Sequence, residues 1–231
     1  MGAVVILSTN RSLNFRKPLT IIFRSKRLQS NMKARKAILV FLLTSVFMSI
    51  GVIFWYNEFI YSLPTPVPDN YRPVPVGSVI TIPHGINLKN NKSVFLHFFN
   101  PDCPCSKFNI NHVRSLVKQY SDKATFAIVV LNNSSYTERQ IQEKFQLNIP
   151  VLFDTAIAAS CGVYSTPQAV IIDHENKLFY RGNYNRSRYC SDEKTAYARQ
   201  ALDNLISNDN GTIINPYALT AYGCRLPVCK K

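Results

Sequence analysis

Twenty consecutive residues, Ala37–Tyr56, carry no Asp, Glu, Lys or Arg, and residues 1–36 before them carry no acid. The run is apolar on every side, which excludes the amphipathic core helix of an ordinary soluble domain. No small-x-small pattern follows it before Glu58-Phe59-Ile60-Tyr61, and it is too long for the apolar core of a signal peptide. A retained anchor is therefore the better reading than a cleaved signal. Internal repeats are also absent, and 231 residues suffice for one sizeable core plus appended segments. The folded part shows no basic face interleaved with aromatics and no nucleic-acid-binding motif, which excludes nucleic acid as a partner. A hydrophobic fraction of 46% and an aromatic fraction of 12% exclude general disorder.

The formal charge of +14 is uneven along the chain. Residues 1–36 hold nine Lys and Arg, whereas everything after Tyr56 holds 18 basic against 13 acidic residues. The excess thus belongs to an N-terminal arm. Twenty apolar residues match the length of a bilayer-spanning helix, and Trp55 and Tyr56 stand at its far end, where amphipathic rings favour the headgroup layer. The positive-inside rule then places residues 1–36 in the cytoplasm and the remaining chain on the periplasmic or extracytoplasmic side of the inner membrane, as a single-pass protein. Met32 opens a compact start, Met-Lys-Ala-Arg-Lys, and is a second candidate for the initiating residue, which would leave 1–31 untranslated. Residues 57–83 hold Pro64, Pro66, Pro68, Pro73, Pro75 and Pro83 and read as an extended stalk.

Alternating periodicities begin near residue 93 and define an organised domain over 84–207, with a C-terminal tail over 208–231. Val94–Phe99 is a nearly continuous apolar run, as expected of a central strand. Val113, Leu116, Val117 and Tyr120 recur at helical spacing. Residues 125–131 form a second strand, Tyr136–Leu147 a helix, and Ala156–Cys161 a short helix. Gln168–Ile172 and Lys177–Arg181 form a hairpin turning at His174–Asn176. Ser191 is expected to cap a last helix with the stripe Tyr197, Ala201, Leu202 and Leu205. This order implies an α/β fold: a parallel strand pair extended by an antiparallel hairpin, with helices on both faces.

Cys103-Pro104-Cys105 follows the first strand at a helix start, and Ser165-Thr166-Pro167 leads a later strand. These features resemble the thioredoxin superfamily. The run Asp102–Ser106, the Thr166-Pro167-Gln168 strand and the late Tyr222-Gly223-Cys224-Arg225-Leu226 resemble, more closely, membrane-anchored redoxin-type proteins of bacteria with a Cys-Pro-Cys motif. The resemblance covers about residues 75–227 by motif matching. It implies a thioredoxin-like three-layer fold with a central mixed sheet behind one transmembrane helix. It implies a cis bond at Thr166-Pro167, and it makes His97, six positions before Cys103, a candidate acid–base in the place of a buried carboxylate. A satisfied core histidine is the equal alternative. Cys224 matches the family's late Gly-Cys, as a resolving sulfur or a structural bridge.

The chemistry expected of the pair follows from its position. A helix N-terminus lowers a thiol's pKa, so Cys103 is the expected nucleophile and Cys105 the resolving sulfur. A single intervening residue makes a small, strained ring and hence a comparatively oxidising couple. The alternatives are a structural bridge, buried thiols or a metal site. Cys161 is expected in the core, and Cys190 and Cys229 are either unpaired or bonded to each other. Six cysteines outside the apolar run fit an oxidising compartment. His112 is expected at the surface, and Asn185-Arg186-Ser187 forms a glycosylation triplet relevant only to a eukaryotic secretory protein.

Thiol–disulfide exchange with protein thiols and disulfides, without a cofactor, is accordingly the leading function. A redoxin-type peroxidase is weakened by Asn100, since peroxiredoxins carry Thr or Ser three residues before the reactive cysteine. Copper delivery, with Cys103, Cys105 and His174 as ligands, is a further alternative, soft thiolates being suited to Cu(I). A partner-binding domain without turnover is the remaining one.

Overall fold

In the computed structural model, residues 19–81, 86, 92–131, 135–209, 213 and 215–225 are described, with side chains from Met32 onward except at 60, 61 and 104. The chain divides into two compact units after Tyr56. The first is dominated by helix α1 (Leu19–Ser62), within which Met32–Phe59 is long and apolar enough to cross a membrane. Two of its hydroxyls bond back to the preceding turn: Thr44 Oγ1 donates to the Val40 carbonyl and Ser49 Oγ to that of Ser45, each at 2.8 Å. Such back-bonding lets a polar side chain sit on an apolar helix without an unmet donor.

The second unit is built on a mixed sheet. Strand β1 (Ser93–Phe99) lies at its centre, with β2 (Ala124–Val130) and β3 (Val151–Leu152) parallel to it on one side. On the other side β5 (Gln168–Ile172) and β6 (Leu178–Gly182) run antiparallel, giving the order β3-β2-β1-β5-β6. The two-residue strand β4 (Ser165–Thr166) lies outside this sheet and pairs with β7 (Cys224–Arg225).

The continuous apolar pattern of β1 is explained by burial on both faces. Phe95 and Phe99 face a core completed by Val113, Leu116, Ala201 and Leu202 from helices α3 (Ile110–Tyr120) and α6 (Tyr197–Ile206). Val94, Leu96 and Phe98 face the opposite core, with Ile157, Ala158 and Cys161 of α5 (Ala156–Cys161). Helix, sheet and helix make the three layers of a thioredoxin-like fold. Helix α4 (Glu138–Phe145) is opened by a capping box between Thr137 and Gln140 and stopped by Gln146 in the left-handed region.

The helix after β1 is broken at Asn109 into α2 (Pro104–Phe108) and α3. Two sequence expectations are corrected. Ser191 does not cap the last helix: Asp192 caps a single 3₁₀ turn, Glu193–Thr195, and α6 starts at Tyr197. The chain between belongs to Asn185, whose Nδ2 donates to the Asp192 carbonyl at 2.6 Å and whose Oδ1 accepts from Thr195 Oγ1 at 2.8 Å.

The proline-rich segment is the second. Rather than standing clear, it straps the domain. Ile80 is core, Val79 bridges Lys177, and the Val74 carbonyl accepts from Arg181 Nη1 at 2.8 Å. Thr65 is buried; its N–H donates to the Ala221 carbonyl and its Oγ1 to the Gly223 carbonyl, both at 2.7 Å. Proline has no N–H to leave unmet, so a run of prolines can lie flat on the surface with only its carbonyls to satisfy. The domain therefore extends back to Thr65 at least. Helix α7 (Pro216–Leu219) closes the described elements before β7.

Replacing Thr65 by Val keeps the shape and removes the buried hydroxyl. We expect destabilisation of about 1–3 kcal/mol, read as a lower thermal midpoint of the detergent-solubilised chain. An unchanged midpoint would show that the strap contributes nothing to the fold.

Candidate functional site

Strand β1 ends at Phe99, and the turn after it is tied by side chains. The Asn100 N–H donates to Ser106 Oγ at 3.2 Å, Asn100 Oδ1 accepts from the Asp102 N–H at 3.0 Å, and the Cys103 N–H donates to the Asn100 carbonyl at 3.1 Å. Asn100 is thus built into the turn. Cys103 takes extended backbone angles as the N-cap of α2, and Pro104 follows in the first turn, where a missing N–H costs nothing.

Thr166-Pro167 is a cis peptide bond. Thr166 is fully buried and pairs with Cys224 across the β4–β7 ladder. Gly223 makes this possible: a Cβ there would run into the Thr166 carbonyl. The ladder brings Cys224 to the cysteine turn. Cys224 Sγ lies 3.4 Å from Cys105 Sγ, and the sulfurs of Cys103, Cys105 and Cys224 all lie within 4.8 Å of one another. All three are buried. Cys103 is disulfide-bonded, whereas Cys161 and Cys190 are not.

A cleft of about 350 Å³ opens beside Cys105 and Pro167, walled by Asn109, Tyr184, Tyr217 and Tyr222. Asn109 is 1% exposed, and neither atom of its amide has a hydrogen-bond partner. Sequence reasoning missed Asn109, Tyr184 and Tyr217, because amides and tyrosines scattered along the chain carry no local pattern; Tyr222 stands in the late Gly-Cys motif.

The other candidates separate from the sulfurs. His97 is 1% exposed on β1, its Nδ1 2.7 Å from Tyr184 Oη, with Phe99 against its ring. Burial pushes its pKa down from 6.5 to about 3. The ring is therefore neutral at physiological pH and lies outside the useful acid–base range expected of it. Tyr184 is held well above its ordinary value, first by burial and then by Cys190 and Tyr180. His112 is half-buried, in keeping with a partly exposed histidine, and meets the Tyr184 ring edge-on.

His174 lies in the β5–β6 turn. Ile172 pairs with Val94 at the start of β1, whereas the cysteine turn follows the end of β1, so His174 stands at the opposite end of the sheet. It does not come together with the cysteines; the group beside Cys103 and Cys105 is Cys224. Cys161 is core, and burial raises its thiol to about 11. Cys190 is half-buried with its thiol pushed up to about 12, also by burial, while Cys229 lies outside the described residues. Asn185 is buried with its amide bonded, which does not suit a glycan acceptor.

The sequence matches, over residues 79–229, the family described as a domain of unknown function (DUF6436). The chain belongs to that family. No curated protein matches it. Among solved structures it is similar to a hypothetical protein from Sinorhizobium meliloti 1021, at 18% identity and a TM-score of 0.53, over 68% of this chain and 96% of that one. An uncharacterized conserved protein from Geobacillus kaustophilus matches at 19% identity and a TM-score of 0.52, over 65% and 92% respectively. The thioredoxin domain of a thiol-disulfide oxidoreductase from Bacteroides vulgatus matches at 17% identity and a TM-score of 0.42, over 53% and 98%. At these identities the similarity concerns the fold.

Neutral His97 has a pH consequence. Its folded-state pKa of about 3 lies below the ordinary 6.5, so the unfolded chain takes up this proton first as the pH falls. The stability tied to neutral His97 is complete above pH 6.5 and is lost as the pH drops toward 3, by at most about 1.4 kcal/mol per pH unit. His97→Gln retains a partner for Tyr184 and does not titrate. Urea midpoints at pH 7, 5.5 and 4.5 should fall less steeply for this variant, and an identical acid slope would contradict the account.

Proposed function

We propose that the chain is a membrane-tethered thiol–disulfide oxidoreductase working through Cys103, Cys105 and Cys224. The observation that carries this reading is the convergence of three buried sulfurs within 4.8 Å, between a strand–helix turn and the strand paired to Thr166-Pro167. The Cys103 thiolate, favoured by the first-turn N–H groups of α2, attacks a partner disulfide. One partner sulfur leaves as thiolate and takes up a proton, and Cys105 then attacks Cys103 to release the other. The reverse sequence delivers a disulfide to a dithiol. The substrates are protein thiols and disulfides, and the cleft beside Cys105 and Pro167 receives the segment of partner chain that flanks the reacting sulfur. His97 holds Tyr184 in the wall of that cleft rather than moving protons.

The helix Met32–Phe59 supports tethering, and the basic arm before it supports a cytoplasmic N-terminus with the domain on the outer face of the membrane. An oxidising compartment suits a chain whose Cys103 is disulfide-bonded. In this reading Cys103→Ser lowers the rate of disulfide exchange with a reduced model protein by about two orders of magnitude or more, measured with the full chain in detergent. A Cys103→Ser variant as fast as the parent would sink the proposal.

The sulfur cluster also supports a second reading, Cu(I) binding. Three thiolates around one ion at metal–sulfur distances of about 2.3 Å stand about 4 Å apart, and soft thiolates suit Cu(I). Cys103 must first be reduced. Competition with a chromophoric Cu(I) chelator should then show binding that survives His174→Ala and is lost in Cys224→Ser. Equal retention in both variants would contradict it.

A further inference from the structure

The cleft beside Cys105 and Pro167 carries charge of one sign. The described residues that line it include two arginines, Arg186 and Arg188, and no aspartate or glutamate. Arg188 Nη2 donates to Glu58 Oε2 at 2.7 Å, so part of its charge is met within the protein. Arg186 is exposed and makes no ion pair among the described residues. Its guanidinium lies over the Tyr217 ring, 4.6 Å from the centroid, in the same wall. Such stacking occupies one face of the guanidinium and leaves the N–H fork, which lies in its plane, for a carboxylate. Asp192 acts on Tyr197 together with Arg186, but it stands outside the cleft lining, with its oxygens accepting from the Lys194 N–H and Thr195 Oγ1.

Three side-chain amides line the same cleft. Asn183 Nδ2 donates to the Tyr217 and Thr220 carbonyls, and Asn185 bridges Asp192 and Thr195, so these two hold the walls together. Asn109 differs: it is buried, and neither its donor nor its acceptor has a partner. An amide left unmet on both atoms costs stability and contributes nothing to the walls. A donor and an acceptor side by side match the C=O and N–H groups of a polypeptide main chain.

We propose, resting on the exchange reading above, that the partner is a polypeptide with an acidic side chain close to its reacting cysteine. Its main chain bonds to the Asn109 amide, and its carboxylate meets Arg186. Both contacts are made to the flanking chain and not to the sulfurs, so they select the partner that docks. The same charge arrangement rejects basic segments as well as favouring acidic ones.

The test titrates the full chain in detergent, by calorimetry, with short peptides in which serine replaces the reacting cysteine and the flanking residue is Glu, Gln or Lys. Binding should be about fivefold tighter for Glu than for Gln and weakest for Lys, and the spread should shrink as salt is raised. Arg186→Glu should invert the order. Asn109→Leu should weaken all three peptides by about tenfold and raise the thermal midpoint of the peptide-free chain, because an unmet buried amide is removed. Equal affinity for the Glu and Lys peptides overturns the proposal, as does an Asn109→Leu chain that melts lower and binds as before. The same peptides with cysteine restored, presented as mixed disulfides with a neutral thiol, separate it from the exchange reading. Equal exchange rates for the Glu and Lys forms remove the acidic preference and leave exchange standing. Ordered binding without any exchange removes the exchange reading and leaves the cleft as an acidic-peptide site.

Discussion

The pairing of Cys224 with Thr166 is the interaction on which the rest of the site depends. It is a two-residue ladder, made possible because Gly223 has no side chain where the Thr166 carbonyl passes. Without it the Cys-Pro-Cys turn would face the cis-proline strand alone. With it, a third buried sulfur joins the other two, and the Thr65 strap holds the arrangement from outside. The proline-rich segment therefore bears on the geometry of the sulfurs, in addition to any spacing it provides.

Burial decides which of the ionisable groups are chemically available. It keeps His97 neutral, raises Tyr184, and pushes Cys161 and Cys190 far from the thiolate form. The charged form of a buried group is costly unless something pairs with it. A reactive thiolate consequently needs the kind of help that a helix N-terminus gives at Cys103. Of the amides lining the cleft, those of Asn183 and Asn185 are bonded within the protein, whereas that of Asn109 is not.

Much of the fold was legible from local pattern. The double-sided burial of β1 shows as a run of apolar residues, the hairpin β5–β6 as two runs around a polar turn, and the apolar helix as twenty residues without charge. The strands β3, β4 and β7 have two residues each, too few for any period to register. The docking of the strap is not legible in the sequence, because proline composition reports stiffness and not what the carbonyls bind. The start of α6 was misplaced because Asn185, distant in the pattern, claims the backbone that Ser191 was expected to organise. At the site, the cysteine turn and the Thr166-Pro167 strand stood out as motifs. The meeting of Cys224 with Cys105, and the separation of His174 from both, depend on register across the sheet, and spacing along the chain does not encode it.

The central claim is that the clustered sulfurs exchange disulfides and are not a structural staple. Its most direct test is the equilibrium reduction potential of the full-length chain in detergent, poised against glutathione and dithiothreitol buffers. The account predicts a reversible two-electron couple above about −300 mV, poised to exchange with cellular thiols. A bridge that resists reduction below that value, or one that never equilibrates with the buffers, would contradict it.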